Sequence, residues 1–99
     1  MSSLDLLTTA FRLPTDARFR VVGGEGVLLR QDARDVFAVN DVASRMIALC
    51  DGVRTLAAVV TVITEEFDVD RATAERDCVA FVADFVARGA LVAVPGAGT

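Results

Sequence analysis

The spacing of apolar residues changes once along this chain, at Asn40, and this change constrains the fold more than any other feature. Before it, three short apolar runs at 19–22, 27–30 and 36–39 are separated by turn-forming segments. The pattern predicts three strands, the first two joined as a hairpin by Gly-Gly-Glu-Gly. After Asn40 the spacing becomes helical. The sequence therefore predicts an α+β fold: a three-stranded antiparallel sheet followed by three helices, in a winged-helix-like arrangement.

Capping residues mark the ends of the three predicted helices. The second helix includes a β-branched run at 59–64, which local propensity alone would make a strand. We predict a helix there because no turn signal interrupts the run. The third helix is predicted to continue to about Arg88. The predicted N-caps are Asn40, Thr55 and Asp70, and the glycines expected to end the first and third helices are Gly52 and Gly89.

A chain of 99 residues is long enough for one small domain and rarely divides into two. Residues 1–18 mix small, polar and apolar side chains around Pro14, which predicts a loosely attached N-terminal arm. Its apolar residues could dock on the domain or on a second copy of the chain: Leu4, Leu6, Leu7 and Phe11. We assign residues 19–94 to the domain proper, with a short extended segment at 91–94. Residues 95–99 are rich in glycine and predict a flexible tail.

The composition excludes several functional classes. The net charge is −4, and every basic residue is arginine, so the strongly basic face of a nucleic-acid-binding protein is not expected. The chain contains no His, Tyr or Trp. Histidine is the usual general base near neutral pH and the commonest metal ligand. We therefore predict a protein that is not an enzyme and that carries no metal or cofactor.

Cellular location is predicted from the cysteines and from the apolar runs. Cys50 and Cys78 both lie within apolar helical patterns, which indicates buried thiols rather than a disulfide or a metal site. No segment resembles a signal peptide or a run of about 20 apolar residues that could cross a bilayer. The sequence therefore predicts a soluble cytoplasmic protein with no membrane partner.

The third predicted helix has an unusually broad apolar surface. A helix that faces the core with one stripe needs only about 100° of apolar arc. Here two adjacent stripes are present, so either both are core or one faces the core while the other lines a groove. One stripe consists of Cys78, Phe81 and Phe85, and the other of Val79, Val82 and Val86.

The junction "AVNDVASRMIALCDGVRT" and its place between strands and helices resemble the PqqD family and the wider group of RiPP recognition elements. The similarity extends over about residues 19–92. Two departures occur: Ala58 replaces a glutamate that would complete a capping box, and Phe37 stands where many relatives have Tyr or Trp. The matching residues are Val39, Asn40, Ala43, Ile47, Leu49, Cys50, Asp51, Gly52, Arg54 and Thr55.

The resemblance implies a protein that binds the leader segment of a ribosomally synthesised precursor peptide and presents it to a modifying enzyme, often a radical S-adenosylmethionine enzyme. The leader would add as a strand beside the third strand, with its side chains in a groove walled by the third helix. Carried over by position, the strand edge is Val36, Phe37, Ala38 and Val39, the wall is Cys78, Phe81, Val82 and Phe85, and Arg34 and Arg76 are rim residues for acidic leader side chains.

Two other functions agree with the same order of elements. A winged-helix DNA-binding protein would place its arginines on one exposed recognition helix, whereas the third helix here mixes Arg71, Arg76 and Arg88 with acidic residues. A homodimerisation module would use the apolar arm and groove to bind a second copy of the chain. DNA binding would depend steeply on salt, and dimerisation would be visible by sedimentation.

Overall fold

Two small antiparallel sheets and four helices are present in the computed structural model, which describes residues 3–30 and 35–95. The mixed α and β composition is confirmed, and the sheets have strand orders β2-β3-β4 and β5-β1-β6. The helices are α1 (Ser3–Leu7), α2 (Asp41–Leu49), α3 (Leu56–Glu66) and α4 (Arg71–Ala87). The strands are β1 (Ala10–Arg12), β2 (Ala17–Val22), β3 (Glu25–Arg30), β4 (Asp35–Val39), β5 (Asp51–Thr55) and β6 (Val92–Val94).

The sheet β2-β3-β4 is the one that the apolar runs before Asn40 predict. Gly23 and Gly24 join β2 to β3 with φ angles of 61° and 86°. A two-residue turn with positive φ at both positions matches the twist of a hairpin, and glycine adopts it without strain. Phe19, Leu28 and Phe37 are paired in register across the three strands, so they share the inner face of the sheet, which packs on the helices.

The second sheet changes the role of the N-terminal segment. β1 lies in the middle of this sheet, between β5 and β6. Its Ala10 and Phe11 are buried, as is Leu6 of α1. Loose attachment is therefore wrong for residues 3–12, which are part of the folded unit, and of the two docking partners considered for Leu6 and Phe11 the structure shows the domain itself. A three-residue strand carries too little local pattern to be recognised before its pairing partners are known.

The element order also differs from three strands followed directly by three helices. α1 and β1 precede the sheet β2-β3-β4, and β5 separates α2 from α3. α2 ends at Leu49, so the prediction that Gly52 ends it is wrong: Gly52 lies within β5 with a φ of 83°. β5 forms because β1 pairs with it, and such long-range pairing is not visible in the local sequence. The short strand predicted near residues 91–94 is present as β6.

The predicted N-caps occupy the expected positions. Asn40 Oδ1 accepts a hydrogen bond of 2.9 Å from the backbone N–H of Ala43 at the start of α2. Thr55 Oγ1 accepts one of 3.3 Å from the backbone N–H of Ala58 at the start of α3. Asp70 is the N-cap residue of α4, but its side chain makes no capping hydrogen bond. α2 and α3 therefore begin with a satisfied backbone donor, as their sequences predict.

Burial determines the conformation of the β-branched run in α3. Leu56, Val59, Val60 and Ile63 are all buried, at spacings that place them on one face of a helix. A strand would send alternate residues of this run to opposite faces, so it could not bury the same set together. The helix predicted for this segment is therefore confirmed, and packing outweighs the strand propensity of valine and isoleucine.

The C-terminal end of α4 is closed by a glycine, as predicted. The backbone N–H of Gly89 donates to the carbonyl of Val86 at 3.0 Å, and that of Ala90 donates to Phe85 at 2.8 Å. This is the Schellman pattern, which requires a residue with positive φ, and Gly89 has a φ of 76°. The turn directs Ala90 and Leu91 back into the core and so leads the chain into β6.

Two predictions concern residues that the structure does not describe. Arg34, assigned to the rim of the peptide site, lies within residues 31–34. The flexible tail predicted at 95–99 is described only at Pro95.

Candidate functional site

The outer edge of β4 is an open strand edge. β4 pairs with β3 on one side, and on its other side no further strand is present among residues 3–30 and 35–95. Val36 and Ala38 are exposed, whereas Phe37 and Val39 are half-buried on the side of the helices. We call residues 36–39 the β4 edge. Its unpaired N–H and C=O groups are those that an added strand would use.

Three phenylalanines connect the β4 edge to α4. The ring of Phe37 lies 5.2 Å from that of Phe85, centroid to centroid, with an angle of 48° between the planes. Phe81 stacks on Phe85 at 4.1 Å. Phe85 is buried, while Phe37 and Phe81 are half-buried and keep part of their surface accessible. We call these three residues the aromatic cluster.

An arginine that the sequence-based interpretation does not assign to the site lies at one end of the aromatic cluster. The guanidinium carbon of Arg88 lies 5.9 Å from the centroid of the Phe37 ring, within the range of a cation–π interaction. Its Nε also donates to Asp84 at 3.1 Å. Arg88 follows Phe85 by three residues and Phe81 by seven, so helical spacing was the signal that could have identified it.

The structure brings only some of the predicted wall residues to the surface. Cys78 and Val82 are 1% and 0% exposed, so both lie in the core behind the aromatic cluster rather than on the surface of the wall. Arg76 lines a hollow together with Leu7 of α1, away from the aromatic cluster. Val86, in the stripe that could have lined the groove, lies beside α1 and β1 instead. Of the predicted wall residues, only Phe81 therefore keeps accessible surface, and it stacks on the buried Phe85, which contacts Phe37 of β4.

The larger hollows on α4 are not located beside β4. One of about 460 Å³ lies between α1 and α4, and another of about 270 Å³ lies between α4 and the second sheet. Beside β4, Phe37 and Phe85 are in contact and fill the space between strand and helix. A guest strand would consequently lay its side chains on the exposed parts of these rings rather than insert them into an empty cavity.

The thiols of Cys50 and Cys78 are buried and unreactive at neutral pH. Burial raises the pKa of Cys50 to about 12, and the nearby carboxylate of Asp51 adds to the effect. Burial also raises the pKa of Cys78 to about 11. The Sγ atom of Cys78 lies 3.5 Å from Sδ of Met46 in the core. Because a thiolate is the reactive form, neither cysteine is suited to act as a nucleophile at neutral pH.

Asp51 has a structural explanation as well. Its Oδ1 accepts hydrogen bonds from the backbone N–H groups of Val53 at 2.9 Å and Arg54 at 2.8 Å. These bonds, from Arg54 first and Val53 second, hold the pKa of the carboxyl below its usual value. The side chain therefore fixes the backbone of β5 around Gly52, which has a φ of 83°.

In the described part of the chain, no three Cys, Asp or Glu side chains come together in a way that could hold a metal ion. None of the helices in residues 3–30 and 35–95 combines the length and the apolar composition needed to cross a bilayer.

The buried thiols predict how stability changes at alkaline pH. We expect the free energy of unfolding to fall as the pH rises from about 9 to about 12. In the unfolded chain the thiols ionise near their ordinary pKa of 9.0, whereas in the folded chain they remain protonated until about 11 to 12. The unfolded state then binds fewer protons, so stability is lost through this window. No Lys, Tyr or His is present to titrate there.

Urea unfolding at a series of pH values between about 8 and 11 would measure this loss. The matched control is the Cys50→Ala/Cys78→Ala variant, which is less stable throughout but should show little dependence on pH in the same range. An equal slope in the variant and the parent chain would contradict the assignment to the thiols.

Comparison with solved structures supports the geometry described above. TbiB1 in complex with the TbiA(beta) leader peptide is 26% identical, with a TM-score of 0.74 over 81% of this chain and 93% of that chain. A lasso peptide synthetase B1 complexed with the leader peptide is 30% identical, with a TM-score of 0.72 over 83% and 96% of the two chains. The PqqD truncation of Methylobacterium extorquens PqqCD, a RiPP recognition element, is 26% identical, with a TM-score of 0.69 over 83% and 87%.

Sequence comparison gives the same grouping. A PqqA binding protein of Rhodopseudomonas palustris (strain TIE-1) is 36% identical over 56 residues, which are 57% of this chain and 55% of the relative. The chain thus spans about half the length of the curated relatives it matches.

Fold and site define a small α+β domain with an open strand edge beside an aromatic helix face. The profile of Coenzyme PQQ synthesis protein D (PqqD) matches residues 25–91, about two thirds of the chain. The chain belongs to the PqqD family, and the resemblance inferred from the junction at Asn40 is confirmed.

Proposed function

We propose that this protein binds the leader segment of a ribosomally synthesised precursor peptide and presents it to a modifying enzyme, without catalysis of its own. The observation that carries the proposal is the open β4 edge directly beside the aromatic cluster. The solved complexes of TbiB1 and of lasso peptide synthetase B1 with leader peptides support it, as do the relatives named for binding PqqA.

Main-chain hydrogen bonds supply affinity in this proposal. A leader segment in extended conformation pairs with the unpaired groups of the β4 edge and becomes a fourth strand of the sheet β2-β3-β4. Backbone pairing is independent of side-chain identity. Such pairing therefore orders the guest strand but does not by itself select one peptide over another.

Selectivity comes from the aromatic cluster. Alternate side chains of a strand point to the same face, so every second residue of the guest lies towards α4. There it meets the accessible parts of Phe37 and Phe81, which favours aromatic and branched aliphatic side chains. Phe85 is buried and supports the other two rings. Its ring centroid lies 5.2 Å from that of Phe37 and 4.1 Å from that of Phe81.

Charged groups at the rim add orientation. Arg88 and Asp84 form an ion pair at the C-terminal end of α4, beside Phe37, so an acidic or basic guest residue could compete for one partner. Arg34 precedes β4 in the sequence and stays in the proposal as a rim residue. Arg76 lies beside Leu7 of α1, so we assign it no contact with the guest strand.

The chemistry is assigned to a partner enzyme. The buried thiols of Cys50 and Cys78 and the hydrogen-bonded Asp51 have structural roles, and the chain has no histidine. We propose a radical S-adenosylmethionine enzyme as the partner, on the resemblance to the family. The proposed setting is the cytoplasm, where a ribosomally made precursor is first available and where free thiols stay reduced.

The charge distribution on α4 favours peptide binding over DNA binding. Each arginine of this helix and its C-cap is paired with an acidic residue on the same helix. Neutralised arginines leave little net charge for phosphate contacts, which dominate the affinity of DNA-binding helices. The pairs are Arg71 with Glu75, Arg76 with Asp77, and Arg88 with Asp84.

Titration of ¹⁵N-labelled protein with candidate leader peptides, beginning with those of PqqA and TbiA(beta), tests the proposal. We expect chemical-shift changes concentrated on residues 36–39 and on Phe81 and Phe85. A peptide of the same composition in scrambled order is the control, and the PqqA and TbiA(beta) leader peptides indicate which kind of leader is preferred. Changes confined to Val79 and Val86, on the side of α4 near α1, would contradict the assigned site.

A further inference from the structure

The outer face of the sheet β2-β3-β4 is unusually apolar for a surface that no described element covers. In an antiparallel sheet, residues paired in register lie on the same face. Leu29 pairs with Val36, and Val27 pairs with Ala38, so these four form two adjacent apolar rows on the face opposite the helices. Leu29 is 43% exposed and Val36 is 65% exposed.

Two arginines extend these rows on β2. Arg18 is paired in register with Leu29, and Arg20 with Val27, so both lie on the same outer face. We call the whole surface the outer sheet face. Its central part consists of Arg18, Arg20, Val27, Leu29, Val36 and Ala38, and the pair Val22–Glu25 continues the same face at the hairpin end.

The arginines of the outer sheet face differ from most others in this chain. Six arginines each form an ion pair with a carboxylate. Within the described residues, Arg18 and Arg20 form none, and Arg18 donates only to the carbonyl of Ala17 at 3.4 Å. Two arginines with no ion pair among the described residues, whose Cα positions are about 7 Å apart along one strand, therefore lie beside an exposed apolar patch in a protein of net charge −4.

We propose that the outer sheet face is the docking surface for the modifying enzyme, which meets it with apolar side chains flanked by carboxylates. This inference rests on the proposed function, because it takes the guest strand on β4 as given. Charge complementarity selects the partner: unpaired arginines beside apolar rows fit an acidic protein surface. A second copy docked face to face would bring arginine rows of like charge towards each other.

The position of this face couples the two binding events. A guest strand on the β4 edge extends the sheet, and its outward side chains continue the rows that contain Val36 and Ala38. The enzyme then contacts β2, β3, β4 and the leader together. The loaded protein thus offers a larger matching surface than the free one, so the enzyme distinguishes a loaded carrier from an empty one.

The test measures enzyme and leader binding separately, using a radical S-adenosylmethionine modifying enzyme and whichever leader peptide binds in the titration above. The leader should tighten enzyme binding by roughly 5- to 150-fold, and the enzyme should tighten leader binding by the same factor. Arg18→Glu/Arg20→Glu should weaken enzyme binding at least about 10-fold and change leader affinity less than about 2-fold.

Two control variants distinguish surface charge from total charge. Arg12→Glu changes another arginine without an ion pair in the described residues, but on β1 of the other sheet, so enzyme binding should not change. Arg20→Glu alone makes the same change in net charge, but on the outer sheet face, so this variant should weaken enzyme binding.

Enzyme binding that is unaffected in Arg18→Glu/Arg20→Glu, while the leader still binds, would overturn the inference and leave the proposed function intact. A leader that does not bind the parent chain would instead refute the proposed function. Sedimentation gives a further criterion: a concentration-dependent dimer of the parent chain that is lost in the double variant would assign the face to a second copy and overturn docking of the enzyme.

Discussion

Phe81→Asp is expected to weaken leader binding by at least about 30-fold, equivalent to about 2 kcal/mol. Phe81 is half-buried and stacks on Phe85 at 4.1 Å, so its accessible part forms the surface on which guest side chains would lie. The substitution places a carboxylate where the guest would exclude water from it, and an unpaired charge is costly to desolvate. Phe81 suits this test better than Phe85, because aspartate at the buried position 85 would also unfold the protein.

The matched control is Val86→Asp. Val86 lies on the same helix and is 37% exposed, but it faces the hollow near α1 and β1 rather than β4. Both variants add one negative charge to α4, so a general electrostatic effect would appear in both. Isothermal titration gives the affinities, and a thermal melt confirms that each variant is folded. Equal affinities of the two folded variants would mean that the guest does not lie on the aromatic cluster.

Phe11→Ala is expected to lower the free energy of unfolding by about 3–5 kcal/mol. Phe11 belongs to β1, the middle strand of the second sheet, and is 2% exposed. Its removal leaves a cavity in the core beside α4, where Val86 and Ala83 line the same hollow. For a small domain this is a large fraction of the total stability, so partial unfolding at room temperature is expected.

Leu4→Ala is the control for the N-terminal segment. Leu4 lies on α1, only a few residues away, but it is 70% exposed, so its truncation should change stability by less than about 0.5 kcal/mol. Urea unfolding followed by circular dichroism measures both variants. If Phe11→Ala were as stable as Leu4→Ala, residues 3–12 would not contribute to the core as the structure indicates.

The site was predictable from the sequence only in outline. Val36 to Val39 were assigned to an edge from the family resemblance, and the structure places them on an open edge. The broad apolar surface of the third predicted helix, α4, was visible in the sequence. Which of its residues face the core and which stay accessible was not. Cys78 and Val82 face the core, while Phe81 faces β4, and this depends on the rotation of α4 about its axis. That rotation is determined by packing against α1 and β4, which lie far from α4 in sequence, as well as against the neighbouring α3.

The amino-acid sequence by itself determined the local elements: the Gly23-Gly24 hairpin, the caps at Asn40 and Thr55, the glycine stop at Gly89 and the family to which the chain belongs. Such features depend on residues near one another, whose conformational preferences act within a few positions. Only the tertiary structure decided that residues 10–12 form a central strand, that 51–55 form an edge strand beside it, and that two arginines without an ion pair in the described residues share a face with exposed apolar rows. Strand pairing joins segments that are distant in sequence, such as β1 and β5. The stabilisation that it provides therefore does not show in the local sequence of either strand.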